Sequence, residues 1–292
     1  MREFTCYKIA DIFLGVHLAT GYQVLYEDPY KKFEAETKEK HVRIDFHIGE
    51  NLPAVCGEYI FGSCRNQVYR KGKKLICYAG YFKNPGEGAF GKSCIEWDEE
   101  QSNHCKVWLK QKKREVLERE IFSAMDLTHI MAAYGRVILH ASFISYKGEG
   151  VLFSAPSGTG KSTQAELWKR NRREVELING DRSILAFEGE EVWAYGLPFC
   201  GSSGISLNRK VPLRAIAVLR QGRENCIRRI HGGEALRLLL SECSVNQWDK
   251  KGLEHILDVL LRLIQQVPVY YFACLPDASA VDVLEQTING EE

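Results

Sequence analysis

Hydrophobic and polar positions follow two rhythms along this chain of 292 residues. Up to about residue 112, short apolar fragments are separated by turns. Residues 42–48 (Val-Arg-Ile-Asp-Phe-His-Ile) alternate with period two, the pattern of a strand with one face buried and one face wet. Residues 75–82 and 105–109 read as further strands, and residues 84–88 (Asn-Pro-Gly-Glu-Gly) as a turn. The charged run over residues 31–40 is expected as a solvated loop or a short helix. No chemistry is visible in this stretch, which reads as a β-rich accessory layer shaping a substrate cleft.

At residues 110–114 (Lys-Gln-Lys-Lys-Arg) the composition turns basic and helical. The spacing of Val116, Leu117, Ile121, Met125, Ile130 and Met131 predicts one helix over 115–134, ended by Gly135. Beyond it strands and helices alternate. Strands are expected over 137–144, 150–154, 174–178, 183–187, 192–195, 213–219, 226–230 and 267–273. Helices are expected over 234–242, 253–265 and 278–288. Residues 147–150 form a hairpin turn, and 188–190 and 221–225 are further turns. The chain therefore divides into a β-rich region, 1–112, and an α/β core, 113–292.

Between the strand ending near Ser154 and a helical stretch from Gln164 lies Ala155-Pro156-Ser157-Gly158-Thr159-Gly160-Lys161-Ser162-Thr163. It has the spacing of a phosphate-binding loop, with Ala155 where the first glycine usually stands. Gly158 and Gly160 let the backbone curl so that successive N–H groups face phosphate oxygens. The helix that follows adds its positive end. Lys161 would meet the β- and γ-phosphates, and Ser162 offers a hydroxyl to Mg²⁺, which prefers oxygen ligands.

A second constellation follows. Asp181 ends the apolar stretch Leu177-Ile178-Asn179-Gly180, 20 residues past Lys161. An acid in that place serves as a magnesium ligand or as a general base. His140 lies on the strand that leads by a hairpin into the loop strand, either as a core residue or as a ring facing the phosphates. Residues 198–204 (Pro-Phe-Cys-Gly-Ser-Ser-Gly) form a second small-residue loop, a cover for the site or a plain surface loop. Arg209 is a candidate for an anionic group or a solvated charge. Of Arg228 and Arg229, strand alternation lets at most one face the site.

Net charge is +1, which gives no global electrostatic case for nucleic acid or an anionic membrane. No apolar run reaches the length of a membrane span. Residues 9–15 are interrupted by Asp11 and do not form a signal peptide, so a cytoplasmic location is expected. The ten cysteines are irregularly spaced without a C-x-x-C pair and are expected as reduced thiols. A zinc site from Cys94, His104 and Cys105, or from Cys56 and Cys64, is conceivable, although adjacent His104 and Cys105 are poor geometry for one metal.

Residues 139–229 together resemble the HPr kinase/phosphorylase family and, more loosely, the ATP-using phosphoenolpyruvate carboxykinases. The resemblance rests on Leu139-His140-Ala141, the loop through Thr163, the turn Gly180-Asp181-Arg182 and the strand leaving Gly196. It is closest to bacterial HPr kinase-like proteins, some of which accompany peptide-modifying gene clusters. It implies a P-loop-containing HPr kinase-like core with Lys161, Asp181 and His140 as catalytic residues, and Ser162 and Asp181 on the metal. It further implies ATP and Mg²⁺ as partners, and γ-phosphate transfer to a serine-type hydroxyl on a protein, peptide or small molecule. Homo-oligomers are possible in such a family. Two positions depart from its pattern. The family carries two adjacent aspartates at the acidic turn, whereas Gly180 stands first here, so Asp181 acts alone or with His140. The family's glutamate- and arginine-containing signature is replaced by Tyr195-Gly196-Leu197-Pro198-Phe199, so phosphorylase activity and HPr as substrate are not expected. The alternatives are a nucleotide-binding module without transfer, or an ATPase in peptide modification or assembly.

Overall fold

A computed structural model describes residues 4–19, 21–37, 39–84 and 91–290, without the side chain of Ser102. The turn expected at 84–88 lies, from Pro85 on, outside the described residues. The fold is mixed α/β with several sheets, in two compact units, Met1–Leu127 and Thr128–Glu292.

The first unit holds strands β1 (Phe4–Ile9), β2 (Ile12–Leu18), β3 (Gln23–Leu25), β4 (Val42–Gly49), β5 (Glu58–Gly62), β6 (Asn66–Lys71), β7 (Lys74–Ala79), β8 (Ser93–Asp98), β9 (Gln101–Lys110) and β10 (Glu115–Leu117). Helices α1 (Asp28–Lys31) and α2 (Glu118–Ala124) accompany them. Eight strands form one sheet in the order β1-β2-β4-β9-β8-β7-β6-β5, and β10 pairs with β3 in parallel. The alternation read over 42–48 is real: Val42, Ile44 and Phe46 are buried, while Arg43 and His47 are exposed. The charged run 31–40 is not simply solvated, because Phe33 is fully buried within it and its carbonyl accepts from Lys8 N at 2.7 Å. The helix expected over 115–134 is three elements. Residues 115–117 extend to pair with β3, and Asp126 takes a left-handed φ of +47°, which an α-helix does not tolerate. A new helix, α3 (Leu127–Ala133), starts after it.

The second unit contains β11 (Val137–Leu139), β12 (Ala141–Tyr146), β13 (Glu149–Ser154), α4 (Lys161–Asn171), β14 (Val175–Asn179), β15 (Ser183–Glu188), β16 (Glu191–Gly196) and β17 (Lys210–Gln221). It continues through β18 (Cys226–Ile230), α5 (Gly232–Glu242), α6 (Lys250–Gln266), β19 (Val269–Cys274) and α7 (Ala278–Gly290). One sheet runs β14-β12-β13-β17-β19-β18, and a second runs β11-β15-β16-β17, with β17 shared. Strands β13, β17 and β19 are parallel neighbours whose two faces are both covered. Leu152, Ile216 and Val218 face α5 and α6, whereas Val151, Phe153, Ala215, Ala217 and Leu219 face α4 and α7. That double burial is why 215–219 reads as an unbroken apolar run.

The strand expected over 137–144 is broken at His140, where the chain leaves the second sheet and enters the first. It crosses back at residues 180–182, between β14 and β15. Register puts the two crossings side by side, since Leu139 pairs with Ser183 and Phe143 with Asn179. Ala141 also pairs with Ser154, the last residue of β13, so the loop beginning at Ala155 opens next to both crossings.

Helix α6 is held by its N-cap. One oxygen of Asp249 accepts from Gly252 N at 2.9 Å, and the other meets His129 Nδ1 of α3 at 2.6 Å. Burial alone would raise the Asp249 carboxyl, but the hydrogen bonds from His129 and the Gly252 backbone outweigh it and hold it below its ordinary value. A carboxyl depressed on folding stabilises fully above its unfolded pKa, near pH 4, and that contribution is lost as the pH falls through the lower folded value. Thermal melts from neutral to acid pH should therefore show a steeper acid limb in the wild type than in Asp249→Asn. Removing the cap with Asp249→Ala should cost about 1–2 kcal/mol at neutral pH.

Candidate functional site

Residues 155–160 join the carboxyl end of β13 to the start of α4. Gly158 has φ +81° and Gly160 φ +118°, values that side chains beyond glycine rarely adopt, and a Cβ on either would point into open space. The glycines are thus required by backbone direction, and the space over the loop is free. Ala155 is fully buried where the strand leaves the sheet, which is why a small residue suffices there. Pro156, Ser157, Gly158, Ser162 and Thr163 are exposed, and Thr159 and Gly160 half-buried.

Lys161 opens α4 and is only 7% exposed. Its Nζ donates to Ala155 O at 2.8 Å and, more weakly, to Pro156 O at 3.4 Å. Among the described residues no carboxylate lies within ion-pair distance of Nζ. Burial pushes the pKa of this ammonium down, and the charges of Glu242 and then Asp181 act against that shift. A buried cation and a helix N-terminus without an acid in its first turn, preceded by the exposed glycine loop, together form a donor surface for an anion.

The opposite wall is built at the two strand crossings. Asn179, fully buried, is its keystone. Its Nδ2 donates to Leu197 O at 2.6 Å and Phe199 O at 3.1 Å. Its Oδ1 accepts from the backbone of Asp181 at 2.9 Å and of Arg182 at 3.0 Å. One side chain therefore shapes the acidic turn and ties it to residues 197–199. Ser142 Oγ fixes the same turn by donating to Gly180 O at 2.9 Å. The loop at 198–204, which includes a short 3-10 turn at Gly201–Ser203, packs on the turn rather than standing free. A Cβ on Gly201 would lie 2.7 Å from Asp181 Cβ.

The same packing explains why glycine stands at position 180. A Cβ there would overlap Ser203 Oγ and Cβ. Gly180→Asp should therefore not restore a second acid. It should destabilise the protein by about 1–3 kcal/mol through overpacking, read as a lower urea midpoint with an unchanged slope.

His140 and Asp181 come together across the crossings, with Nε2 3.6 Å from Asp181 Oδ1. On its other side His140 Nδ1 lies 3.2 Å from Glu242 Oε2, and His140 N donates to Glu242 O at 2.9 Å. Glu242 ends α5 and has no local sequence signal. It reaches the site because the segment after it adds to the edge of β11, Cys243 bridging Leu139 and Ser244 N donating to Ile138 O at 2.9 Å. Arg182 lies at the rim, with Nε 3.4 Å from Asp181 Oδ2 and an N–H donated to Ser244 Oγ at 3.3 Å. Arg209 is not drawn in; it pairs with Glu176, three residues before Asn179 on β14. Arg228 is forked onto Glu234 and stacked over Tyr271.

The acidic wall holds two carboxylates and an imidazole that can take up a proton from a hydroxyl, facing the donor surface of the loop. Among the described residues, no group of three or more His, Cys, Asp or Glu side chains is arranged to hold a metal by itself. All ten cysteines are free, with Cys6, Cys77, Cys94, Cys105 and Cys274 buried. His104 is engaged by Asp45 at 2.8 Å. No helix among the described residues is long and apolar enough to cross a membrane.

A family model described as "SynChlorMet cassette protein ScmC" matches residues 104–288, more than half of the chain. No curated protein matches it. Among solved structures, the Hpr(Ser) kinase/phosphatase from Coxiella burnetii is similar over 53% of this chain and 97% of that chain, at 14% identity and a TM-score of 0.31.

Proposed function

The chain belongs to the ScmC family of SynChlorMet cassette proteins, and for this member we propose an ATP- and Mg²⁺-dependent phosphotransferase acting on a serine-type hydroxyl. The observation that carries the reading is the meeting of two unlike walls at the carboxyl ends of β13 and β14. One is the open glycine loop with buried Lys161, and the other is Asp181 backed by His140.

In this reading the amides of residues 157–162 and the Lys161 ammonium bind the β- and γ-phosphates of ATP. The acceptor oxygen attacks the γ-phosphorus, the bond to the β,γ-bridging oxygen breaks, and ADP leaves with that oxygen's charge. Asp181 takes the proton of the acceptor hydroxyl, with His140 beside it. Lys161 meets charge that grows toward the bridging oxygen. Mg²⁺, when bound, neutralises phosphate charge. The donor set suits it, since Mg²⁺ keeps several waters and needs one or two protein oxygens beside the phosphates, here Ser162 Oγ and Asp181. Arg182 at the rim is placed to meet an anionic group of the acceptor.

The acceptor is best sought among the products of the cassette that the family is named for. Incubating the protein with γ-labelled ATP, Mg²⁺ and those products should put label on a seryl or similar hydroxyl, located by mass spectrometry. Free phosphate as the sole labelled product would instead favour an ATPase. Nucleotide binding without turnover would favour a binding module.

A further inference from the structure

Position 180 has no room for an acid, yet the site holds a second carboxylate. Glu242 reaches it from a different element, through His140. We infer that Glu242 is a positioning residue that pins the Nδ1–H of His140 and turns Nε2 toward Asp181, so that the pair acts in place of the missing acid. The inference rests on the proposed transfer and names what completes its acidic wall.

Three observations support it. A carboxylate can only accept, so the 3.2 Å contact between Glu242 Oε2 and His140 Nδ1 assigns the proton to Nδ1 and leaves Nε2 to face the site. The grip is double, since His140 N also donates to Glu242 O at 2.9 Å, fixing backbone and ring together. Glu242 is also misplaced for any helical purpose. It is the last residue of α5, where the helix dipole disfavours an acid, and its side chain is 12% exposed. An acid held there against the dipole, with an imidazole as its hydrogen-bond partner, is explained by what it does to that ring.

The gap between Nε2 and Asp181 Oδ1 is 3.6 Å, beyond hydrogen-bond length. An acceptor hydroxyl entering from the loop side would meet both atoms, with Asp181 to take its proton and Nε2 to orient it. Lys161 and Arg182 border the same space. The charges of Glu242 and, less strongly, Asp181 both act on the Lys161 ammonium against the effect of its burial.

Two measurements on the full-length protein test this. In the first, histidine ring nitrogens are labelled with ¹⁵N and their long-range proton correlations recorded. The neutral His140 ring should appear as the Nδ1–H form, the minor tautomer of free histidine, and should lose that preference in Glu242→Ala. An unchanged His140 tautomer in the variant would overturn the inference, whatever the protein does with ATP. In the second, phosphate release from Mg·ATP is followed with water as the acceptor. Glu242→Ala should lower kcat about 10- to 100-fold with KM for ATP unchanged, as the loss of an orienting partner does. Glu242→Gln, which keeps an acceptor oxygen, should retain most of the rate. In a His140→Ala background Glu242→Ala should add no further loss. Additive losses there would show that Glu242 acts on the fold and not through the ring. If Glu242→Ala fails to fold, the wild-type tautomer and the Glu242→Gln rate still decide the matter. A wild type with the pinned tautomer that transfers no phosphate from Mg·ATP to a cassette product or to water would refute the transferase reading alone.

Discussion

Replacing Lys161 with alanine is expected to lower phosphate transfer from ATP by about three orders of magnitude, some 4 kcal/mol of transition-state stabilisation. The same change should leave the melting temperature unchanged or raise it. Both outcomes come from one fact: Lys161 is a nearly buried ammonium whose partners are the carbonyls of Ala155 and Pro156, with no carboxylate within ion-pair distance among the described residues. Burial depresses its pKa, so at neutral pH its charge is carried at a cost to the folded state. On the proposed reading that cost is offset when a phosphate binds. Steady-state rates and thermal melts of wild type and Lys161→Ala, compared side by side, check both halves. A destabilised variant with normal turnover would show Lys161 to be a structural residue.

Asp181→Asn should lower kcat by about 10²- to 10⁴-fold, the usual range for loss of a general base. The amide is nearly the same size as the acid, so contact with Gly201 survives, and the turn is held through the Asp181 backbone by Asn179 rather than through the Asp181 side chain. Folding should therefore be unaffected, and binding of ATP without metal should stay within a few-fold of wild type. Binding of Mg·ATP should weaken more, because the variant also removes an oxygen charge proposed to face the metal. Unchanged turnover in Asp181→Asn would remove Asp181 from the mechanism and leave His140 as the candidate base.

Much of the second unit was legible because its elements obey local rules. The apolar run at 215–219 is the core of β17, and the turn at 147–150 closes a hairpin with Lys147 and Gly148 both at positive φ. The loop at 155–163 announces itself by its glycines and Lys161. What local rules could not reach was set by tertiary pairing. Nothing near His140 marks the end of a strand; the chain breaks there because β11 pairs with β15 and β12 with β14, in different sheets. The helix expected over 115–134 has good spacing, but pairing with β3 pulls out its first residues and Asp126 interrupts it. Glu242 was invisible for the same reason, since a glutamate at the end of an amphipathic helix reads as a solvated residue until Cys243 is known to bridge Leu139. Gly180 shows a subtler limit. Its departure from the HPr kinase pattern that the sequence resembles could be read in the sequence, but its cause, Ser203 filling the space of a side chain, could not.

The central claim is that the loop and the acidic wall form one nucleotide site. Titrating the ¹⁵N-labelled protein with Mg²⁺ and a non-hydrolysable ATP analogue tests it without knowledge of the acceptor. Saturable shifts should appear together at the amides of Gly158, Thr159, Gly160 and Lys161 and at Asp181, and Lys161→Ala should abolish them. No shift at the loop, or saturable binding that moves other residues and survives Lys161→Ala, would contradict it.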